Sequence, residues 1–154
     1  MVLKIVFPDV KITLLDSLNK RVNFLNEVIT ELQLKDINAI HGRAEDYAHN
    51  DIYREKYDLC VSRAVANLST LSEYCIPYVK VGGKFVSYKA GDCEEEINSA
   101  KKAVNMLGGK IEEKVDFILP ETDISRTFIV IGKLRNTSTK YPRKSGLPSK
   151  EPLK

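Results

Sequence analysis

Val10–Ser17, VKITLLDS, is the stretch on which the reading of this chain turns. Val10, Ile12, Leu14 and Leu15 form a short apolar run that ends at Asp16, and a helical pattern follows at once. A buried parallel strand has this form, with its crossover helix beginning at the carboxyl end. In open α/β sheets that end is where ligands bind. A carboxylate there can accept two hydrogen bonds from ribose hydroxyls, which makes Asp16 a candidate contact to a nucleoside cofactor. Asp and Ser also satisfy the free N–H groups of a helix start, so a capping role stands beside the first.

On the amino-terminal side, Leu3, Ile5, Val6 and Phe7 fit the last two turns of a helix ended by Pro8. A helix so short is marginal alone, and the expectation is that the chain starts in the middle of a domain. On the other side, Leu18, Val22, Leu25, Ile29 and Leu32 recur at helical spacing, predicting an amphipathic helix over 18–33. Ile37–His41 is a second strand, leading into Gly42-Arg43-Ala44-Glu45-Asp46. Tyr57–Ser62 is a third, leading into Arg63-Ala64-Val65-Ala66. A helix is expected over Asn67–Val79. Gly82-Gly83 then turns the chain into a fourth strand, Lys84–Lys89. Asp92 caps a helix with Glu94, Glu95 and Glu96 in its first turn, favourable at the positive end of the helix dipole, and Gly108-Gly109 ends it.

Ile111–Leu119 and Thr127–Lys133 close the domain with no helix between them, and so short a connection requires an antiparallel pair. Repeated βα units followed by such a pair define a Rossmann-like α/β domain with a reversed last strand. That ending separates S-adenosylmethionine-dependent methyltransferases from dehydrogenases, whose sheets are usually all parallel. A nicotinamide enzyme is further disfavoured by the lack of a G-x-G-x-x-G fingerprint. The expected organisation is one domain over residues 1–133 and a basic, extended tail over 134–154.

The 154 residues suffice for one domain with a core, and 43% hydrophobic and 29% charged residues are ordinary for a globular protein. No apolar run approaches the roughly 20 residues of a membrane helix, and no signal-peptide pattern opens the chain. Cys60, Cys75 and Cys93 form neither a disulfide framework nor a zinc pattern, and His41 and His49 lack partners at metal spacing. A cytoplasmic protein without a metal is expected, with no oligomer indicated. Apolar neighbours make Cys60 and Cys75 read as inert core thiols. Net charge is +3, yet seven Lys/Arg against one Glu fall between Lys133 and Lys154. A mildly acidic body with a basic end points to an arm that touches a polyanion; a merely solvated end is the competing reading.

The motifs DSLNKRVNFL, HGRAEDY, YDLCVSRAVANLSTLSEYC, RTFIVIGK and YPRKSGLPSKEPL, in this order, resemble the bacterial small-subunit ribosomal RNA guanine-N7 methyltransferases, the glucose-inhibited division protein B family. The resemblance runs from about Leu3 to the end. It implies a Rossmann-like fold, S-adenosylmethionine as cofactor and small-subunit ribosomal RNA as partner. By the same resemblance Asp16 meets the cofactor ribose, Ala44 and Glu45 lie beside the adenine, and Arg63 belongs to the cofactor pocket. Lys89, on the same rim, and Lys140, Arg143 and Lys144 in the tail are candidate contacts to RNA.

The chain also departs from the family. Members carry an amino-terminal helical region, a central first strand and a glycine-rich loop like VGTGAGFPG, and none of these is present. The expectation is a fragment of a methyltransferase, truncated at the amino terminus and impaired alone. A non-catalytic Rossmann-like remnant that binds RNA or a protein is the alternative. The absence of a Ser/His/Asp or Cys/His constellation does not weigh against methyl transfer. Guanine N7 carries a lone pair and no proton, so attack needs alignment rather than a general base, and no catalytic residue is assigned.

Overall fold

The computed structural model describes residues 1–63, 66–91 and 93–154. Asp92, read as a helix cap, and Ala64 and Val65 lie outside them. The chain divides into two compact units, Met1–Asp46 and Tyr47–Lys154.

In the first unit, α1 (Val2–Val6) is followed by β1 (Ile12–Asp16), α2 (Asn19–Glu31) and β2 (Ile37–His41), and α3 (Ala44–Tyr47) begins at its end. Strands β1 and β2 pair in parallel, Ile12 against Ile37 through Asp16 against His41. The exit from α1 is fixed by Lys4, a buried lysine whose ammonium donates to Pro8 O at 2.6 Å and Val10 O at 2.7 Å. Strand β1, expected to be buried, is half-buried at all five residues. The physical reason is that β1 has one paired edge among the described residues, against β2. Val2, Ile5, Val6 and Phe7, the apolar face of α1, are exposed.

The second unit holds β3 (Tyr57–Arg63), α4 (Leu68–Cys75), a 3₁₀ turn (Ile76–Tyr78), β4 (Val79–Ala90), α5 (Glu94–Met106), β5 (Gly109–Ile118), β6 (Ser125–Lys133) and α6 (Leu147–Lys150). Its sheet has the order β3-β4-β6-β5. β3 and β4 are parallel, and β6 runs antiparallel to both β4 and β5. The reversed ending read from the short 120–126 connection is thus present.

Helices α4 and α5 cover one face of this sheet. Leu68, Leu71, Ile76, Ala100, Val104 and Leu107 from the helical layer close on Phe85, Ile129 and Ile131. Helix α4 starts at Asn67, whose side-chain oxygen accepts from Thr70 N–H at 3.0 Å. It ends sooner than expected: Pro77 sits in the 3₁₀ turn that follows, and Val79 already belongs to β4. Gly82 and Gly83 lie within β4, where the register jumps from Tyr57–Val79 to Leu59–Lys84. Residues 80–83 thus bulge out between two paired stretches, with Gly82 at φ +85°.

The segment from Leu134 differs from the mobile arm that its Pro, Ser and Lys content predicts. Arg54 donates to four main-chain oxygens, those of Ala48, Thr137, Ser138 and Tyr141, at 2.8–3.2 Å. Thr70 Oγ1 donates to Pro148 O at 2.9 Å, and His49 Nε2 donates to Pro142 O at 2.8 Å. Tyr141 is buried and Leu153 packs against the core. Composition describes a segment's own tendency, and here the hydrogen-bond partners lie 78–93 residues upstream, where no local pattern records them.

Candidate cofactor site

Asp16 and His41 close β1 and β2 at the same end, and Gly42 N–H donates to Asp16 O at 3.0 Å. The carboxylate of Asp16 stands on this rim. Its Oδ1 accepts from Leu18 N–H at 2.8 Å, which anchors the entry to α2. Its Oδ2 lies 3.4 Å from Arg21, whose side chain is 67% exposed. Leu18 is the N-cap of α2 and no side chain caps the helix, so this bond fixes the turn before the helix and occupies one oxygen. Among the described residues the other has only a long, solvent-screened partner, so it can accept from an incoming hydroxyl. Ala44 and Glu45 follow β2 on the same rim, in the first turn of α3. Glu45 is buried, with Arg43 3.6 Å from its Oε1. The first unit thus brings Asp16, Ala44 and Glu45 to one strand end.

Arg63 and Lys89 belong to the second unit, at the carboxyl ends of parallel β3 and β4, where Arg63 pairs with Tyr88. Arg63 is exposed and, among the described residues, makes no ion pair. Lys89 is not available to RNA as placed. Its side chain is 10% exposed, and its ammonium donates to Ala66 O at 2.8 Å and Glu96 Oε1 at 2.6 Å. Glu96 Oε1 also accepts from Leu68 N–H at 2.5 Å. One carboxylate on α5 therefore caps α4 and holds the lysine, an arrangement that sequence spacing does not disclose.

The three tail candidates separate. Lys140 and Lys144 are exposed, with Lys140 Nζ 5.1 Å from the centre of the Tyr141 ring. Arg143 is turned inward. Its Nε and one terminal nitrogen meet the two oxygens of Glu73 at 2.9 and 2.8 Å, and its backbone N–H donates to Glu73 Oε1 at 2.7 Å. Glu73 is fully buried. Its carboxylate raises the pKa of Arg143 above the usual guanidinium value. Lys133, which is buried, binds Ile76 O, Thr137 Oγ1 and Glu55 Oε1 at 2.6–3.0 Å. Burial lowers its pKa, and Glu55 opposes that shift. Glu73 and Arg54 were not singled out from sequence, and Glu96 was read only as a first-turn acid of its helix; each acts through partners that sequence spacing does not show.

Among the described residues no group of three or more His, Cys, Asp or Glu could hold a metal ion. No helix among them is long and apolar enough to cross a membrane.

Comparison with known proteins places these features in a family. The chain is 59% identical over 150 residues to the ribosomal RNA small subunit methyltransferase G of Acetivibrio thermocellus, covering 97% of this chain and 62% of that protein. It is 56% identical over 151 residues to the protein of the same name from Lachnoclostridium phytofermentans, with 98% and 62% covered. The chain thus spans 62% of the length of these relatives. Among solved structures, it resembles an rRNA methylase from Streptococcus thermophilus, with TM-score 0.58 at 13% identity over 81% of this chain and 74% of that one. MtNAS in complex with S-adenosylmethionine gives TM-score 0.60 at 13% identity, with 87% and 49% covered. These likenesses show the Rossmann-like methyltransferase fold. The family model described as rRNA small subunit methyltransferase G matches residues 1–125, and the chain belongs to that family, GidB.

Proposed function

We propose that this chain serves S-adenosylmethionine-dependent methylation of N7 of a guanine in small-subunit ribosomal RNA. The observation that carries the reading is the family match over residues 1–125. The rim at the ends of β1 and β2 fits the adenosine half of such a cofactor. Asp16 keeps Oδ2 for a ribose hydroxyl while Oδ1 stays bound to Leu18 N–H. The Ala44 N–H and the Glu45 side chain are the groups assigned to the adenine edge. Arg63, in the second unit, is proposed from the family resemblance as a cofactor contact in its own right.

When bound, S-adenosylmethionine supplies a methyl group already activated on a sulfonium sulfur. Since N7 attacks with a free lone pair, the work left to the protein is alignment and exclusion of water. Asp16 orients the nucleoside by its ribose. Lys140 and Lys144, both exposed, contact phosphate oxygens, which position RNA without reading its sequence. Arg143 and Lys89, already engaged within the fold, take no part in that contact. The compartment this reading implies is the cytoplasm.

The test supplies the chain with small-subunit ribosomal RNA and cofactor labelled in the methyl group, then examines the digested RNA for 7-methylguanosine. A chimera in which the chain replaces the matched part of a full-length relative is run alongside. Labelled 7-methylguanosine from the chimera is expected, together with at least a tenfold loss of cofactor affinity on Asp16→Ala. A folded chimera that binds cofactor and labels no guanine overturns the reading.

A further inference from the structure

The sheet of the second unit ends in two edges, β3 and β5, and they are composed differently. An edge strand presents main-chain N–H and C=O groups that recruit further strands, and folded chains guard such edges with charge, proline or a bulge. β5 is guarded on two counts. Five of its ten residues, Lys110, Glu112, Glu113, Lys114 and Asp116, are charged, and its register against β6 slips between Ile111 and Glu113. β3 lacks both guards. Tyr57–Arg63 has no proline and no lysine, and its two charged residues, Asp58 and Arg63, stand near its ends. The irregularity beside it belongs to the bulge of β4. Among the described residues β3 pairs with β4 alone. Cys60 packs toward the helical core, while Leu59 and Val61, on the other face, are 49% and 40% exposed.

We propose that β3 is a dimerisation edge, on which β3 of a second copy of this chain pairs antiparallel about a two-fold axis at Cys60. A two-fold axis normal to a sheet makes two copies of one strand antiparallel and sets one residue opposite its own copy. With the axis at Cys60, the centre of Tyr57–Arg63, every residue of the strand is paired. Leu59 then stands opposite the partner's Val61, and Val61 opposite the partner's Leu59. Both exposed side chains gain an apolar neighbour on the same face. No charge meets its like. Asp58, bound to Lys80 at 2.5 Å, stands opposite Ser62, and Arg63 stands opposite Tyr57. An axis at Leu59 or Val61 leaves two residues of the strand with nothing opposite them in its copy. The full pairing supplies about six to eight main-chain hydrogen bonds.

The occupant is a second copy because the strand matches itself, apolar on apolar, in the one register that pairs its whole length. The symmetry also closes. Each copy spends its β3 edge on the other, and the charged, bulged β5 edges stand at the two ends of the joined sheet, where they discourage further growth. No oligomer is indicated by the sequence, because edge position follows from strand order, which the seven residues of β3 do not record. The inference does not depend on the methylation reading, and its test does not use it.

Sedimentation velocity of the 154-residue chain across a concentration series is expected to show a monomer–dimer equilibrium. Amide hydrogen exchange read by mass should protect residues 57–63 more as concentration rises, with residues 109–118 unchanged. Leu59→Asp and Val61→Lys each act twice in a two-fold pair, and each should raise the dimer dissociation constant about tenfold or more. The double variant Leu59→Asp/Val61→Lys sets a carboxylate opposite an ammonium at both contacts, and should return the constant to near that of the native chain. Ile118→Lys, at the exposed end of β5, should leave it unchanged. A monomer throughout the series overturns the inference and leaves the edge to a strand outside this chain. So does a dimer that both single variants leave intact, a folded double variant that stays monomeric, or association that continues past the dimer. Concentration-dependent protection that omits residues 57–63 overturns it without recourse to any variant.

Discussion

Glu73 is a carboxylate with no exposed surface in the middle of α4, and Arg143 answers it with two guanidinium nitrogens and a backbone N–H. Removing one partner of a buried pair strands the other charge, which costs about 3–5 kcal/mol. Arg143→Ala is expected to lower the stability of the second unit by that amount in urea unfolding. Arg143→Lys should restore only part of it, since an ammonium cannot reproduce the bidentate fork. A loss under about 1 kcal/mol would mean that Glu73 finds other partners. Asp116 behaves differently, because its surroundings are solvent. The Thr127 hydroxyl at 2.6 Å and then the Lys114 ammonium hold its carboxyl below the usual value. A depressed folded-state pKa contributes stability above the unfolded value of about 3.9 and loses it as the pH falls through the folded value. The urea midpoints of the native chain and Asp116→Asn should therefore differ by a constant amount near neutrality and converge in acid, once the pH has fallen through the folded-state value. A difference that persists unchanged in acid would remove the charge from the explanation.

At the scale of elements, two glycines in paired strands make a controlled comparison. A Cβ on Gly83 would lie 2.6 Å from Asp58 O and 2.8 Å from a Val79 methyl, in the bulge of β4 where backbone and core are both fixed. The atoms nearest to a Cβ on Gly132 in β6 would be the carboxylate end of Glu112, a surface side chain that can swing away from Lys84. Gly83→Ala should cost about 1–3 kcal/mol as overpacking does, and Gly132→Ala less than about 1 kcal/mol as the loss of one exposed ion pair. Thermal melts of the two variants measure the difference, and equal shifts would contradict it. The same contrast explains what was legible. β2 stands at Ile37–His41 as read. The helical period of Leu18–Leu32 gave α2 within two residues. The β4 bulge was read as a turn, because Gly82-Gly83 records the backbone freedom but not the Tyr57–Val79 pairing that precedes it. α3 went unread because four residues cannot show a period. At the rim, the end of an apolar run followed by a helical pattern marked Asp16, whereas the engagement of Lys89 by Glu96 and of Arg143 by Glu73 depends on tertiary partners.

Over the whole molecule, the carboxyl-terminal segment is part of the second unit's interior. Deleting residues 137–154 removes three of the four oxygens that Arg54 binds and the cation that neutralises Glu73. It also uncovers the surface that Tyr141 and Leu153 protect. The truncated chain is expected to lose its cooperative thermal transition in circular dichroism, and retention of the full melting temperature would show the segment to be dispensable. Deletion therefore cannot report on RNA contact, and charge substitution can. Lys140→Glu with Lys144→Glu should leave the melt within a few degrees and weaken RNA binding. The slope of log affinity against log salt should fall by about 1–2. An unchanged slope in filter binding would take both lysines off the phosphates.

The sheet order β3-β4-β6-β5 also has a meaning in time. Strand β6 is the last of the four to be synthesised, yet it lies between β4 and β5. While residues 91–124 are being made, β4 has one edge on β3 and the other open. At the roughly 5–20 residues per second of synthesis, completing Ser125–Lys133 after Ala90 takes on the order of 2–9 s. During that interval the nascent chain presents an unpaired strand containing Phe85, Val86 and Tyr88, the kind of edge that recruits another chain. A ribosome-bound intermediate stalled before Ser125 is accordingly the species on which holding chaperones should be found. The burden on them should fall once Lys133 has emerged from the ribosome.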